Sequence, residues 1–249
     1  MPLRTLSRRL LAASLLPLAL TACSSAAKSA APAAAPAAAT TAAGADPTAT
    51  ASQPAGPNAH LPTGTQLKQA LVPAAAFPAG YALDDSGSRD TGDTFQEPTT
   101  ADVPKPDCTK LGGTSWSAIT GIDGVSFAQN DYIDKNASAE IAQEVDVYQG
   151  DTAQTVLKAL GMLDKVCPSY TDDQTHAKVR VTEKPLTGLG DGAYEITMTS
   201  AAWKGGTTLI AARKGAAVVT VLASSPKDSG AATAGKFAQQ ITGALPKAS

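Results

Sequence analysis

Three cysteines and two histidines are all the chain holds of the residues that most often carry metal or thiol chemistry. No Cys/His spacing fits a zinc site. His60 lies in an Ala/Pro-rich tract, so a Ser-His-Asp triad would rest on His176 alone, with Ser115 or Ser117 as nucleophile. No serine stands in the pattern Gly-x-Ser-x-Gly, the nucleophile elbow. Aromatic residues make up 4% of the chain, few for its size. Beyond residue 22 no apolar run is long enough to cross a hydrocarbon core, which takes about 20 residues. These absences argue against an enzyme and against a transmembrane helix, and no metal or cofactor is expected.

Charge and hydropathy are unevenly distributed at the start. Arg4, Arg8 and Arg9 precede an apolar stretch from Leu10 to Leu20, broken by Ser14 and Pro17. A charged start, a short apolar run and a small-residue boundary make a secretory signal peptide over residues 1–22. Leu20 to Cys23 (Leu-Thr-Ala-Cys) resembles the lipobox of bacterial lipoproteins. That resemblance implies that Cys23 carries a diacylglycerol and becomes the new N-terminus. The alternative is an ordinary secreted chain cut near Ala22. Two or more acyl chains, palmitate among them, hold stably where one would not, at about 0.8 kcal/mol per buried methylene. Removing residues 1–22 takes three arginines with it, leaving 20 − 3 = 17 basic residues against 22 acidic ones. An acidic chain is a poor partner for nucleic acid.

Residues 24–63 are mostly Ala, Pro, Thr, Ser and Gly, with almost no large apolar side chain before Leu61. Such a segment cannot bury a core, and its prolines interrupt any Ala helix. It reads as a disordered stalk whose coil would reach about 35 Å over about 40 residues. The Ala/Pro richness resembles proteins of actinobacteria.

Residues 64–249 read as a single domain of class α+β, with one mainly antiparallel sheet and packed helices. Thr65 caps a short helix carrying Leu67, Ala70 and Leu71, stopped by Pro73. Residues 84–107 are polar and proline-rich and read as a long loop. Val125–Ile133 and Ala139–Tyr148 form a strand hairpin across Asp-Lys-Asn-Ala-Ser. Val156, Leu157, Leu160, Leu163 and Cys167 share one face of a helix that starts at Asp151 or Thr152 and ends at Pro168. Strands follow at Lys178–Glu183, Ala193–Thr199, Thr207–Ala212 and Ala217–Ala223, then a helix over Ala231–Leu245.

Cys108 and Cys167 are the only cysteines left for this domain. In an oxidising compartment the default is one disulfide between them. It would close a loop of about 60 residues and contribute about 4 kcal/mol in the chain-entropy description. A catalytic thiol would need a nearby base and an exposed electropositive setting. Gly188–Gly192 (GLGDG) superficially matches a phosphate loop, but Ala193 and Tyr194 open a strand where that loop needs Lys-Ser/Thr and a helix. Asp84, Asp85, Asp90 and Asp93 lack the register of a calcium loop. Trp116 and Trp203, each flanked by small residues, are the candidates for a partly exposed ligand site. Core packing is the alternative for both.

Several stretches together, "LVPAAAFPAGY", "KPDCTKL", "TSWSAITGIDGVSFAQNDYI", "AEIAQEVDVYQGDTAQTVLKALGMLDKVCPSYTD", "GLGDGAYEIT" and "LIAARKGAAVVTVL", resemble the actinobacterial sensor-domain lipoproteins. These are related to the PknH-like extracellular sensor domain of a mycobacterial receptor Ser/Thr kinase. The resemblance implies a twisted antiparallel sheet with helices and a cleft for an unknown ligand outside the cell. The kinase relative has two disulfides, where this chain has cysteines for one. The expectation is a non-catalytic lipoprotein on the outer face of the cytoplasmic membrane of a Gram-positive type envelope. Its sensor-like domain would bind an envelope ligand or a membrane-protein partner. The alternatives are a structural or adhesive envelope protein, and a hydrolase of wall or lipid esters.

Overall fold

A computed structural model describes residues 56–99, 106–136 and 139–246. The signal peptide, Cys23 and most of the linker lie outside the described residues.

Strand alternation shows how the sheet is built. In β3 (Ala139–Val147), Ile141, Val145 and Val147 point to one face, and Ala142 points to the other. Nearly every residue of β3 is buried, because chain packs on both faces of the sheet there. Its neighbours are β2 (Ser126–Asp134) and β8 (Ala217–Ser225). The remaining strands are β1 (Ala82–Asp90), β4 (Ser169–Thr171), β5 (Lys178–Leu186), β6 (Ala193–Thr199) and β7 (Gly206–Lys214). The order across the eight-stranded sheet is β1-β2-β3-β8-β7-β6-β5-β4. Every neighbouring pair is antiparallel. After β3 the chain crosses to the far edge, then meanders back through β4 to β8. The β3–β8 pairing closes the two halves.

On one face lie α1 (Gly64–Ala70) and α5 (Ala231–Ala244). Ala234, Phe237, Ala238 and Ile241 of α5 meet Val219 and Val221 of β8 in one apolar cluster. Phe77 joins this layer, its ring 3.7 Å from Tyr132 and 4.9 Å from Phe237. On the other face lie α2 (Ser117–Thr120), α3 (Thr152–Leu160) and α4 (Leu163–Val166). These pack on Val179, Val181, Ile196, Met198, Leu209 and Leu222.

Four details differ from the sequence expectation. The cap of α1 is Thr63, not Thr65: its hydroxyl accepts from Gln66 N, and Gln66 Oε1 accepts from Thr63 N. The stretch expected to be a loop from residue 84 begins as edge strand β1, which is polar and bulged between Asp84 and Arg89. Charge and a bulge are how an exposed edge avoids pairing with another chain. Strand β4 directly follows Pro168. The single helix expected up to Cys167 breaks at Gly161. A Cβ there would collide with the Tyr194 ring, and Glu183 of β5 accepts from Leu163 N at 3.2 Å to start α4 afresh.

Phe237 is fully buried between α5 and the sheet. Phe237→Ala is expected to lower the unfolding free energy by about 3–5 kcal/mol, measured by denaturant titration.

Candidate functional site

The face of the sheet under α2–α4 is only partly apolar. On β2 and β3 it carries Gln129, Asp131, Glu140, Glu144 and Asp146, all but Glu140 buried. Register aligns Arg89 of β1 with Gln129 of β2, and Gln129 with Glu144 of β3. Arg89 donates from Nε to Gln129 Oε1 at 3.0 Å and lies 5.3 Å from the Phe127 ring centre. Among the described residues no lysine or arginine is buried.

What these carboxylates do is hold a loop. The chain from Pro106 to Gly124 crosses over this face, tied at one end by the Cys108–Cys167 disulfide, Cα–Cα 5.6 Å. Thr114 donates its hydroxyl to Asp131 Oδ2 at 2.6 Å. Gln129 Nε2 donates to Asp131 Oδ1 at 3.0 Å and to Thr114 Oγ1 at 3.1 Å. Trp116 N donates to Glu144 Oε2 at 2.9 Å, and Ser115 Oγ to Glu144 Oε1 at 3.2 Å. Gly87, in the β1 bulge, covers Asp131 so closely that a Cβ would strike the carboxylate.

Burial raises these acids. Glu144 is pushed up to about 7, and Asp146 well above the ordinary Asp value, each by loss of water and by the other's charge or that of nearby acids. Asp131 is raised by burial against the pull of Thr114 and Gln129. Glu140 is pushed up to about 7 by burial, then by Asp131 and Asp84. Tyr148 is raised by burial and by Asp146 and Glu144.

Two cavities open on either side of the loop. One, about 530 Å3, runs between the β1 bulge, Lys110–Ser115 and the β4–β5 turn, with Arg89 and Gln129 on its lining. The other, about 480 Å3, is lined by Glu140, Met198, Trp203, Leu222 and the β6–β7 loop. Gly112, Gly113, Tyr170, Asp172 and Gln174 line both. The loop is therefore the shared wall of a two-part concave face.

The structure separates the two tryptophans. Trp203 is half-buried and lines the second cavity. Trp116 is 1% exposed and belongs to the core, so the expected partial exposure is corrected for it. The bond from its backbone to Glu144 turns the indole inward, onto the cluster of Leu160, Leu163 and Cys167. His176 is exposed on the β4–β5 turn, its N–H on Asp172 O at 2.8 Å. Among the described residues no hydrogen bond joins it to Ser115 or Ser117, whose hydroxyls meet each other and Glu144. Gly188, Gly190 and Gly192 all have positive φ in the β5–β6 turn. Asp191 there accepts from Gly215 N at 2.7 Å, which makes a structural clasp. Asp84 is engaged by Ser86, and Asp90 by Lys68 and Gly92. Among the described residues no group of three or more His, Cys, Asp or Glu is placed to hold a metal ion.

Sequence reasoning missed Asp131, Glu140 and Glu144. The available signal was acids at alternate positions of strands that are otherwise apolar.

The raised acids set a pH dependence. In the unfolded chain a Glu loses its proton near 4.5, while folded Glu140, Glu144 and Glu183 lose theirs near 7. Protonated carboxyls thus favour the fold, fully so below the unfolded value, and the benefit is lost as pH rises to about 7. Chemical denaturation at about pH 5 and about pH 8 is expected to show greater stability at the lower pH. Glu144→Gln keeps an acceptor for Trp116 N and is expected to flatten this difference, by an amount on the order of 3 kcal/mol at most.

No model of a known protein family matches the chain, and no curated protein matches it in sequence.

Proposed function

We propose that the domain is a non-catalytic, sensor-like ligand-binding module, carried by a lipid anchor on Cys23 and an Ala/Pro-rich linker at the outer face of the cytoplasmic membrane. The observation that carries this reading is the two-part concave face with a wall built from Gly112 and Gly113. Cavities of roughly 300–1,000 Å3, mainly apolar with a few aimed polar groups, are the usual shape of small-molecule sites. The buried carboxylates Asp131 and Glu144 are engaged in holding that wall, which is positioning chemistry rather than acid–base chemistry. The separation of His176 from both serines weighs against the hydrolase. The concavity weighs against a purely structural or adhesive role, which needs a flat contact surface. The resemblance to PknH-like sensor domains points the same way, as does the anchor pattern around Cys23. A bound state would pass to a membrane-protein partner. Among the described residues no helix is long and apolar enough to cross a membrane.

The full chain, extracted from its own organism's envelope, is expected to carry a reproducible extra mass in native mass spectrometry that leaves on gentle activation. Gly112→Phe tests where that mass sits. A Cβ at Gly112 meets nothing within 4 Å, and its backbone lies outside the left-handed region. The variant should therefore fold normally while its ring fills the wall of both cavities. An apo mass for the wild type, or an unchanged extra mass in the variant, contradicts the reading.

A further inference from the structure

We propose that the cavity beside β3 takes an amino sugar, with the ammonium group of the sugar on Glu140 and its ring on Trp203. This rests on the ligand-binding reading above and names the chemistry of one half of that site.

Glu140 carries the argument. It lies on the polar face of β3 and lines the cavity of about 480 Å3. Among the described residues it has neither a hydrogen bond nor an ion pair, whereas its neighbours on this face are all engaged. Asp131 is held by Thr114 and Gln129, and Glu144 by Ser115 and Trp116. Asp172, the other acid on the cavity wall, accepts from Gln174 N, Thr175 N and Thr175 Oγ1 to close its own turn. Those bonds hold its carboxyl below the usual Asp range. Among the described residues Lys204 is the one cation lining this cavity; it is exposed and in no ion pair with them. Glu140 is thus a partly desolvated carboxylate without a partner among the described residues, and burial, then the charges of Asp131 and Asp84, hold its proton up to about 7. A ligand cation would supply the missing partner.

The rest of the lining says what the cation is attached to. A metal ion needs several oxygen ligands, and the described residues offer no such group. Trp203 presents a half-buried aromatic surface, fixed by bonds from its loop to Ser200. Tyr170 also lines the cavity, its hydroxyl turned to the Met198 sulfur at 3.8 Å. Neutral hydrogen-bonding groups, Asn136, Gln174 and Thr207, complete the rim. An aromatic face, neutral donors and acceptors, and one open carboxylate suit a ring that is apolar on one side, hydroxylated at its edge and charged at a single amine.

The test is calorimetric titration of the full chain with two oligosaccharides of equal length. One is the β-1,4 tetramer of glucosamine and the other its fully N-acetylated counterpart. The amine-bearing tetramer is expected to bind at least about tenfold more tightly. Glu140→Gln should lose about tenfold for that tetramer and nothing for the acetylated one, since it removes one desolvated charge pair. Trp203→Ala should weaken both. Glu97→Gln, at an exposed acid outside both linings, should change nothing. Equal binding of the two tetramers, or indifference to Glu140→Gln, overturns the amine assignment. So does an equal loss in Glu97→Gln, which would mark mere charge attraction. If in those cases binding is still abolished by Gly112→Phe, the cleft reading survives. If binding persists in Gly112→Phe, that reading falls as well. Absence of binding by either tetramer overturns the amino-sugar assignment, and the native mass of the envelope-derived protein then judges the cleft on its own.

Discussion

The carboxylate of Glu144 accepts the backbone N–H of Trp116, and the functional face of this domain depends on that bond. It joins the middle of the sheet to a loop that has little regular structure of its own. Ser115 reinforces it on the second oxygen, and Asp131 repeats the arrangement one strand over with Thr114. Together these bonds turn Trp116 into the core and leave Gly112 and Gly113 standing clear of the sheet as a wall. The disulfide fixes one end of the loop and the short helix α2 the other. Between them the carboxylates, with Gln129 on Thr114 and Leu111 buried in the core, decide where the chain runs.

Burying acids this way carries a cost. Removing an ionised carboxylate from water is expensive unless it is paired, and among the described residues the nearest cation, Arg89, is exposed at the sheet edge. Hydrogen-bond donors serve instead of countercharges. Asp131 and Glu144 collect hydroxyl, amide and backbone donors, and Asp146 is reached by Gly124 N. The remaining penalty appears as raised proton affinity. An apolar β2–β3 face would be more stable near neutral pH but would hold no polar loop above it. The cavities exist because this part of the sheet was left polar enough not to be filled by a helix. Over β6 and β7 the same face carries Ile196, Met198 and Leu209, and helices α3 and α4 pack on it.

Much of the fold was legible in the residues. Alternation found the β2–β3 hairpin and the strands from β5 to β8, and helical spacing found α5, because in these segments burial and periodicity agree. Strand β1 was hidden because an edge strand stays polar to avoid further pairing. The break at Gly161 was hidden because it answers to Tyr194 and Glu183, more than 20 residues away in the chain. The candidate site was legible only at Trp203. Asp131 and Glu144 alternate with apolar residues, and such a pattern reads as a solvent-facing edge. Nothing local shows that a distant loop will cover them, and nothing local distinguishes Trp116, whose direction is set by the bond at its own backbone.

Amide hydrogen exchange at Trp116 tests the central claim most directly. If Glu144 pins the wall, the Trp116 N–H exchanges as slowly as the amides of β3 in the wild type. In Glu144→Ala it exchanges fast while the β3 and β8 amides keep their protection. Rapid exchange at Trp116 in the wild type, or unchanged protection in the variant, would contradict the account.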